Sequence, residues 1–482
     1  MKILQTTAFG FVFEMDNTDC YFTKEYEIYI NGCFYAKTNK NVVAIFDLKP
    51  STKYEIEAGD TQFFVKTLPV SYLINVADYN GSINMAIYSA PVGSVVYVPA
   101  GEYIVDQILL KSHVDIYLAK GAIIKQSTDR ERLAIIKGYQ KSYNHSRKEI
   151  NASWEGHPLD CYSSVIYGKN VDNVNIYGQG VIDGNGDIGG FWENPKMKNK
   201  AFRPKNIVLA FCRNITITGI TSRNSASWNI HPLYCDYIAF RCVKLESEQD
   251  SPNTDGINPE SCTNVEIVGC HFSVGDDCIA LKAGKYYMSV AHQQPTQKIV
   301  IRNCFMEKGH GAVVIGSEMS CGVQNIDVSQ CLFVNTDRGL RIKTRRGRGP
   351  LAIVNNINFT NIQMEGVRHC FVVNMFYFCD PDGKSDYVSN KDIAVADNLT
   401  PTIKNITLKN VTATNVTGTA VFIYGLPENI VTGVAIIDCT FTFAKERVVE
   451  SPAMMDGFEP SQPLDVYTEN AEVDWERSIC KK

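Results

Sequence analysis

A chain of 482 residues, 45% hydrophobic and 21% charged, is long enough for one large globular domain and a small one. Its formal net charge of -5 argues against a general nucleic-acid binder, which needs a basic surface. No apolar run reaches the ~20 residues of a membrane-spanning helix, and the longest, CFVVNMFYFC at 370–379, reads as core.

At the N-terminus, Gln5, Thr6 and Thr7 interrupt the apolar stretch and no small-residue cleavage site follows. The pattern predicts no signal peptide and a cytoplasmic protein. Residues 1–69 then alternate apolar and polar positions in short runs (YEIYING, NVVAIFDL, KYEIEAG, QFFVKTL) separated by turn residues, the pattern of a small β module. Within it, LKPSTKYEIEA (48–58) resembles the fibronectin type III signature. Leu48, Pro50, Thr52 and Tyr54 stand where that β-sandwich has its tyrosine corner. TLPV (67–70) is the expected linker.

Beyond the linker the chain repeats itself. VDNVNIYGQ, CRNITITGI, CTNVEIVGC, VQNIDVSQC and IKNITLKNV share a turn, an Asn and an alternating strand. Anchored on Asn173, Asn214, Tyr237, Asn264, Lys298, Asn325, Asn356 and Asn405, the intervals are 41, 23, 27, 34, 27, 31 and 49 residues. Variable periods of a few tens of residues, rich in β-branched side chains and without helical pattern, predict a stacked solenoid. A second strand in each coil (DCIALKAG, GAVVIGS, GLRIKTR) makes the expected fold all-β, a right-handed parallel β-helix over residues 70–450. Its first coils are expected at 101–124, capping the N-terminal end, and 451–482 carries little pattern and reads as a tail packed along the outside.

Sixteen cysteines might suggest disulfides, yet Cys242, Cys270, Cys304, Cys331 and Cys439 each close a similar apolar segment. Reduced cysteine used as a small hydrophobe fits that placement better. No CxxC or Cys/His spacing of a zinc site occurs, so no metal and no cofactor are expected. GNGDIG (184–189) matches a dinucleotide fingerprint, but no helical pattern follows it, and the match fails on context.

The stretch HFSVGDDCIALKAG (271–284) is unusual because Asp276 and Asp277 interrupt an apolar strand. Adjacent carboxylates repel and are costly to desolvate. In a β-helix, strands one coil apart lie ~4.8 Å apart, which would stack four clusters: Asn253-Thr254-Asp255-Gly256, Gly275-Asp276-Asp277, Gly309-His310-Gly311 and Arg341-Ile342-Lys343. Glycosidic hydrolysis needs such carboxylates, one to protonate the leaving oxygen and one to activate water. Arg341 and Lys343, two apart on one strand face, would hold an anionic sugar.

NTDG, GDD, GHG and RIK, in that order on a β-helix, resemble the polygalacturonases of glycoside hydrolase family 28. The resemblance covers roughly residues 70–450. It implies Asp276 as general acid, Asp255 and Asp277 as joint activators of water with inversion, and His310 as support for the acid. Asn253 would line the site, and Arg341 and Lys343 would hold a galacturonate carboxylate. Both the His and the Arg positions are kept, which favours homogalacturonan or its oligomers as the partner. The layout, a fibronectin-like module before the helix, resembles bacterial exo-acting members. The polar, aromatic-bearing segment 127–160 is then expected to wall the groove into a pocket.

Each residue also has a plainer reading. A single Asp in a turn is ordinary capping, and His310 between two glycines would by itself be structural. Trp228 and His231 in SWNIHP are candidate sugar contacts, although Trp is more often core. Arg345, Arg346 and Arg348 read as a solvated loop or a general attraction for a polyanion. Three further functions remain open: an endo-acting hydrolase of the same family, a calcium-dependent β-helix pectate lyase, and a non-catalytic glycan-binding β-helix.

Overall fold

In the computed structural model, which describes residues 1–141, 148–379, 382–392 and 395–481, all eight repeat anchors hold the left-handed backbone conformation, with φ between 54° and 57°. Asn tolerates that conformation because its short amide bonds locally, which is why it recurs at six of the eight. The anchor drops out of the strand register: Asp172 pairs with Arg213 and Val174 with Ile215, with no pair between. Its amide instead bonds the coil below, Asn214 donating to Asn173 at 2.6 Å and Asn356 to Asn325 at 2.8 Å. The repeat is therefore a hydrogen-bonded ladder as well as a pattern.

Each coil runs over three faces. In one coil these are the strands Thr263–Val268, His271–Ser273 and Asp277–Leu281. They pair in parallel with Thr296–Arg302, Phe305–Glu307 and Gly311–Gly316 of the next coil. Alternating Ile, Val, Leu, Phe and Cys fill the interior as one continuous core. Cysteines stack within it: the backbone N–H of Cys212 donates to Cys235 Sγ at 3.3 Å, and that of Cys235 to Cys262 Sγ at 3.4 Å. All sixteen are free thiols. Cys242 is the exception among the five singled out above, only partly buried at the seam with the N-terminal module.

Both ends differ from expectation. The first coil begins at Tyr72–Asn75, and a short helix, Ile83–Ser89, covers it by burying Ile83, Ala86 and Ile87. Seven residues are too few to display a helical period, so the cap was not visible in sequence. At the other end, 466–481 is not an outside tail. Val466–Glu469, Ala471–Glu476 and Ile479–Lys481 pair in parallel with Val421–Tyr424, Val431–Ile437 and Thr440–Phe443, forming a last coil. No other coil of the described residues stacks on its far side, and its strands are mostly exposed and polar, which removes the apolar alternation by which it would be recognised.

The N-terminal module is a sandwich of a three-stranded and a four-stranded antiparallel sheet around Phe11, Phe13, Ile28, Ile45 and Ile56. The Tyr54 hydroxyl accepts the Lys49 N–H at 2.8 Å, closing the tyrosine corner. The module is clamped to the helix. Glu14 takes both Arg302 nitrogens at 2.9 and 2.8 Å and Asn303 Nδ2 at 2.8 Å. The Phe46 ring fills the space where a Cβ on Gly219 would lie, 2.3 Å away. These contacts fall on the strands Arg213–Thr218 and Thr296–Arg302 and the turns that follow them, a different face from Asp277–Leu281.

Candidate active site

The third face brings the four motif clusters together. Asp277 opens its strand opposite Gly311, while Val314 pairs with Arg341 and Gly316 with Lys343 on the following coil. Gly311 is required by crowding: a Cβ there would lie 2.4 Å from Val314 and 3.4 Å from Asp277 Oδ1. Gly309, at φ +90°, would place a Cβ 2.7 Å from the Asp276 carbonyl. The two glycines thus let His310 ride directly beside Asp276.

A cavity of about 230 Å³ lies on this face. Asp277 is buried at its floor, Oδ2 accepting from Lys343 Nζ at 2.8 Å and Oδ1 lying 3.7 Å from Arg341 Nη1. Asp277 Oδ1 has no hydrogen-bond partner among the described residues. Asp276 is more open; its Oδ1 bonds His310 Nδ1 at 3.2 Å and accepts the Asp277 N–H at 2.9 Å. Asp255 is buried, and its Oδ2 accepts from Asn258 Nδ2 at 2.8 Å. Asn253, at φ 55°, borders the cavity and accepts from Arg203 at 2.6 Å. Arg341 and Lys343 stand 5.9 and 5.5 Å from the centre of the Tyr377 ring.

The three carboxyl groups are electrostatically distinct. Burial disfavours the charge of Asp277, but Lys343 and then Arg341 outweigh it and hold the group at about 2. Asp255 is pushed well above the usual carboxylate range by burial first and by the Asp276 charge second. The hydrogen bond to Asp276 raises His310 above its ordinary value, against some desolvation. The patch therefore holds a firmly ionised carboxylate, a carboxyl that resists ionisation, and a third carboxyl hydrogen-bonded to an imidazole.

Not every expected residue reaches the cavity. Trp228 borders it, edge-on to His231 and flanked by Lys205 and Lys282 at 5.0 and 5.1 Å. His231 does not. Its strand, Ile230–Leu233, is on the right face, but Asn151, Ala152 and Ser153 surround the small void beside it. Its Nε2 bonds Glu260 at 2.8 Å, and burial lowers the imidazole to about 4. Arg345, Arg346 and Arg348 are not a solvated loop: all three are buried. Arg346 donates to both Glu428 oxygens at 2.6 and 2.9 Å and to two backbone carbonyls.

Seven residues lining the cavity were not singled out from the sequence: Lys282, Ser317, Glu318, Tyr377, Cys379, Met454 and, within the segment expected to wall the groove, Glu155. Lys282 lies in the same quoted stretch as Asp277 and lines the same cavity, although strict alternation would put positions 277 and 282 on opposite faces. It pairs with Glu318 at 2.9 Å. Glu155 comes from the 127–160 insertion, of which 142–147 lie outside the described residues. That insertion is seated tightly: a Cβ on Gly156 would meet Glu318 Cγ at 2.7 Å, and the Lys285 N–H donates to the Gly156 carbonyl at 3.0 Å.

Residues 89–450 match the sequence profile described as Glycosyl hydrolases family 28. The chain belongs to this family. As a family 28 glycoside hydrolase it is 33% identical over 360 residues to a probable polygalacturonase of Vitis vinifera, covering 74% of this chain and 68% of that protein. A polygalacturonase of Gossypium barbadense is 33% identical over 214 residues, 43% of this chain and 49% of its own length. Among solved structures, a hyperthermoactive exopolygalacturonase from Thermotoga maritima superposes with a TM-score of 0.70 at 25% identity, covering 85% of this chain and 92% of that one. The family 28 exopolygalacturonase of Yersinia enterocolitica shares the fold over 100% of this chain and 97% of its own, with a TM-score of 0.69 at 20% identity.

Proposed function

We propose that the chain is an exo-acting polygalacturonase that hydrolyses α-1,4-galacturonosidic bonds of homogalacturonan oligomers with inversion. The observation that carries the reading is the closed end of the cavity. Near Trp228 the 127–160 insertion contributes Glu155 to the cavity lining, with Trp154 stacked on Phe202 at 4.9 Å, which supports a pocket over an open groove. A pocket receives a chain end; a groove receives the middle of a chain.

In this reading Asp276, hydrogen-bonded to His310, protonates the glycosidic oxygen as the bond to the anomeric carbon breaks. A water bonded to Asp277 Oδ1 attacks the opposite face of the sugar, and Asp277 takes its proton. Asp255, which resists ionisation, orients that water as a hydrogen-bond donor rather than serving as an equal second base. Inversion follows from a single displacement with acid and base on opposite faces. Arg341 and Lys343 present donors to the carboxylate of the unit on the leaving side. The exopolygalacturonase named from Thermotoga maritima supports the exo mode.

The test is the early product profile on polygalacturonate, with product anomer followed by nuclear magnetic resonance. Saturated monogalacturonate alone, released first as the β anomer, is the expected result. A ladder of oligomers would replace exo by endo action, and an ultraviolet-absorbing product would mean elimination.

A further inference from the structure

We propose that Lys282 is the cation that receives the carboxylate of the glycone sugar, the unit whose anomeric carbon is attacked. The assignment rests on the hydrolase reading above and deepens it.

Register places Lys282 on the right side of the bond. Glu260 bridges to Lys282, Leu281 pairs with Ile315, and Gly316 pairs with Lys343. Carrying that register one residue on puts Lys282 in the column of Lys343, two coils nearer the N-terminal end. At ~4.8 Å per coil the two ammonium-bearing positions stand roughly 10 Å apart along the helix axis. Between them in the same column lies Gly316, which has no side chain to separate the two cations.

The acid identifies which unit lies on which side. Asp276 is bonded to His310 of the next coil toward the C-terminus, so the leaving oxygen sits toward that end. Arg341 and Lys343 lie there too, with Tyr377 beside them. The glycone therefore occupies the closed end, bordered by Trp228, Asn253 and Glu155. A galacturonosyl glycone carries a carboxylate into that end. Of the described cations bordering the cavity, His310, Arg341 and Lys343 stand at the leaving side and Lys282 at the other.

Lys282 is also built as a binding group. Its ammonium is fixed by Glu318 at 2.9 Å and by the face of Trp228 at 5.1 Å, so little side-chain freedom is lost when it binds. One of its three N–H donors is committed to Glu318. An ion pair this buried adds little to stability over an apolar pair of the same size. Its place on a cavity wall is better explained by an anion that arrives there.

The test compares an aryl α-galacturonide with its methyl ester. The two differ at C6 by the charge and one methyl group, and the aryl group leaves the sites of Arg341 and Lys343 without a sugar carboxylate. The wild-type enzyme is expected to prefer the free acid by about 100-fold in kcat/KM. Lys282→Met should lose that preference by reducing hydrolysis of the acid alone, and Lys282→Arg should keep most of it. Lys282→Met/Glu318→Gln, which leaves no unpaired buried charge, should behave like the single variant and guards against misfolding. An unchanged acid-to-ester ratio in both variants would overturn the assignment while leaving the enzyme reading intact. A wild-type enzyme that releases no galacturonic acid from aryl glycoside or oligomer would overturn both.

Discussion

The Lys343 ammonium stands 2.8 Å from one oxygen of Asp277, while the other oxygen lies 3.7 Å from Arg341 and accepts no hydrogen bond among the described residues. Asp277 is thus both the counter-ion of two buried cations and the carboxylate open to the cavity. Asp277→Asn should cost about 3–5 kcal/mol by leaving those cations unmatched, and should lower kcat/KM by at least about 10³-fold. Asp255→Asn should do the reverse for stability. Burial holds that carboxyl in a form that opposes ionisation, so removing it should stabilise the fold at neutral pH by about 1–2 kcal/mol while still abolishing turnover. Urea unfolding at pH 7 of the two variants separates the effects: midpoints moving in the same direction would refute this division of labour.

The pH profile should follow the same groups. Asp277 has a folded value of about 2, below its unfolded one, so its stabilisation is present above ~4 and is lost as pH falls toward 2. Asp255, displaced upward, opposes that loss in part. His310 is displaced upward by Asp276. Its contribution is full below ~6.5 and disappears as pH rises through its raised value. The alkaline limb of kcat/KM should therefore lie above ~6.5, and Asp276→Glu should move it more than Asp337→Asn, since Asp337 raises His310 less than Asp276 does. A limb unmoved by either change would separate His310 from the proton on the acid.

Arg346 makes a different kind of prediction. Its side chain is 1% exposed and its bidentate partner Glu428 3%. Arg346→Ala should destabilise by about 3–5 kcal/mol, whereas Arg346→Met/Glu428→Leu should recover much of that loss. The Michaelis constant of whichever variant folds should be unchanged. A rise in KM with salt-dependent binding would restore the polyanion-attracting role suggested by the sequence.

The N-terminal module should matter for stability and not for product. Glu14→Gln removes the charge that binds Arg302 twice, and should lower the unfolding midpoint or split the transition in two. The products released from oligogalacturonides should stay the same, because the module sits on another face of the helix. A changed product profile would tie the module to the cleft.

The solenoid was legible because its anchor is conformational: a residue at φ near 55° selects Asn often enough to leave a visible period. The three aspartates, His310, Arg341 and Lys343 were legible because stacking turns distance in sequence into adjacency in space. Strict alternation does not account for Lys282, which lines the cavity with Asp277 from a position five residues on. Exposure was the other blind spot. His231 and the three arginines occupy positions that would face solvent on a bare coil, and segments far away in the chain cover them: 151–153 beside His231, Asp382 against Arg345, and Glu428 with the Tyr387 and Asn390 carbonyls against Arg346. The capping helix and the last coil were missed for lack of length and of an apolar face, since ends bury only one side.

Asp277 and Lys343 are 66 residues apart, yet the gap between them is set by two strand spacings and by nothing in the connecting loops. An excursion from any coil can lengthen, shorten or fold over the face without stretching that gap. The chain carries one such excursion at 127–160 and keeps the four motif clusters in contact. In a scaffold of this kind the shape of the entrance and the chemistry on the floor are free to vary separately, so a swap of that segment between relatives should transfer what is admitted while leaving the bond-breaking apparatus in place.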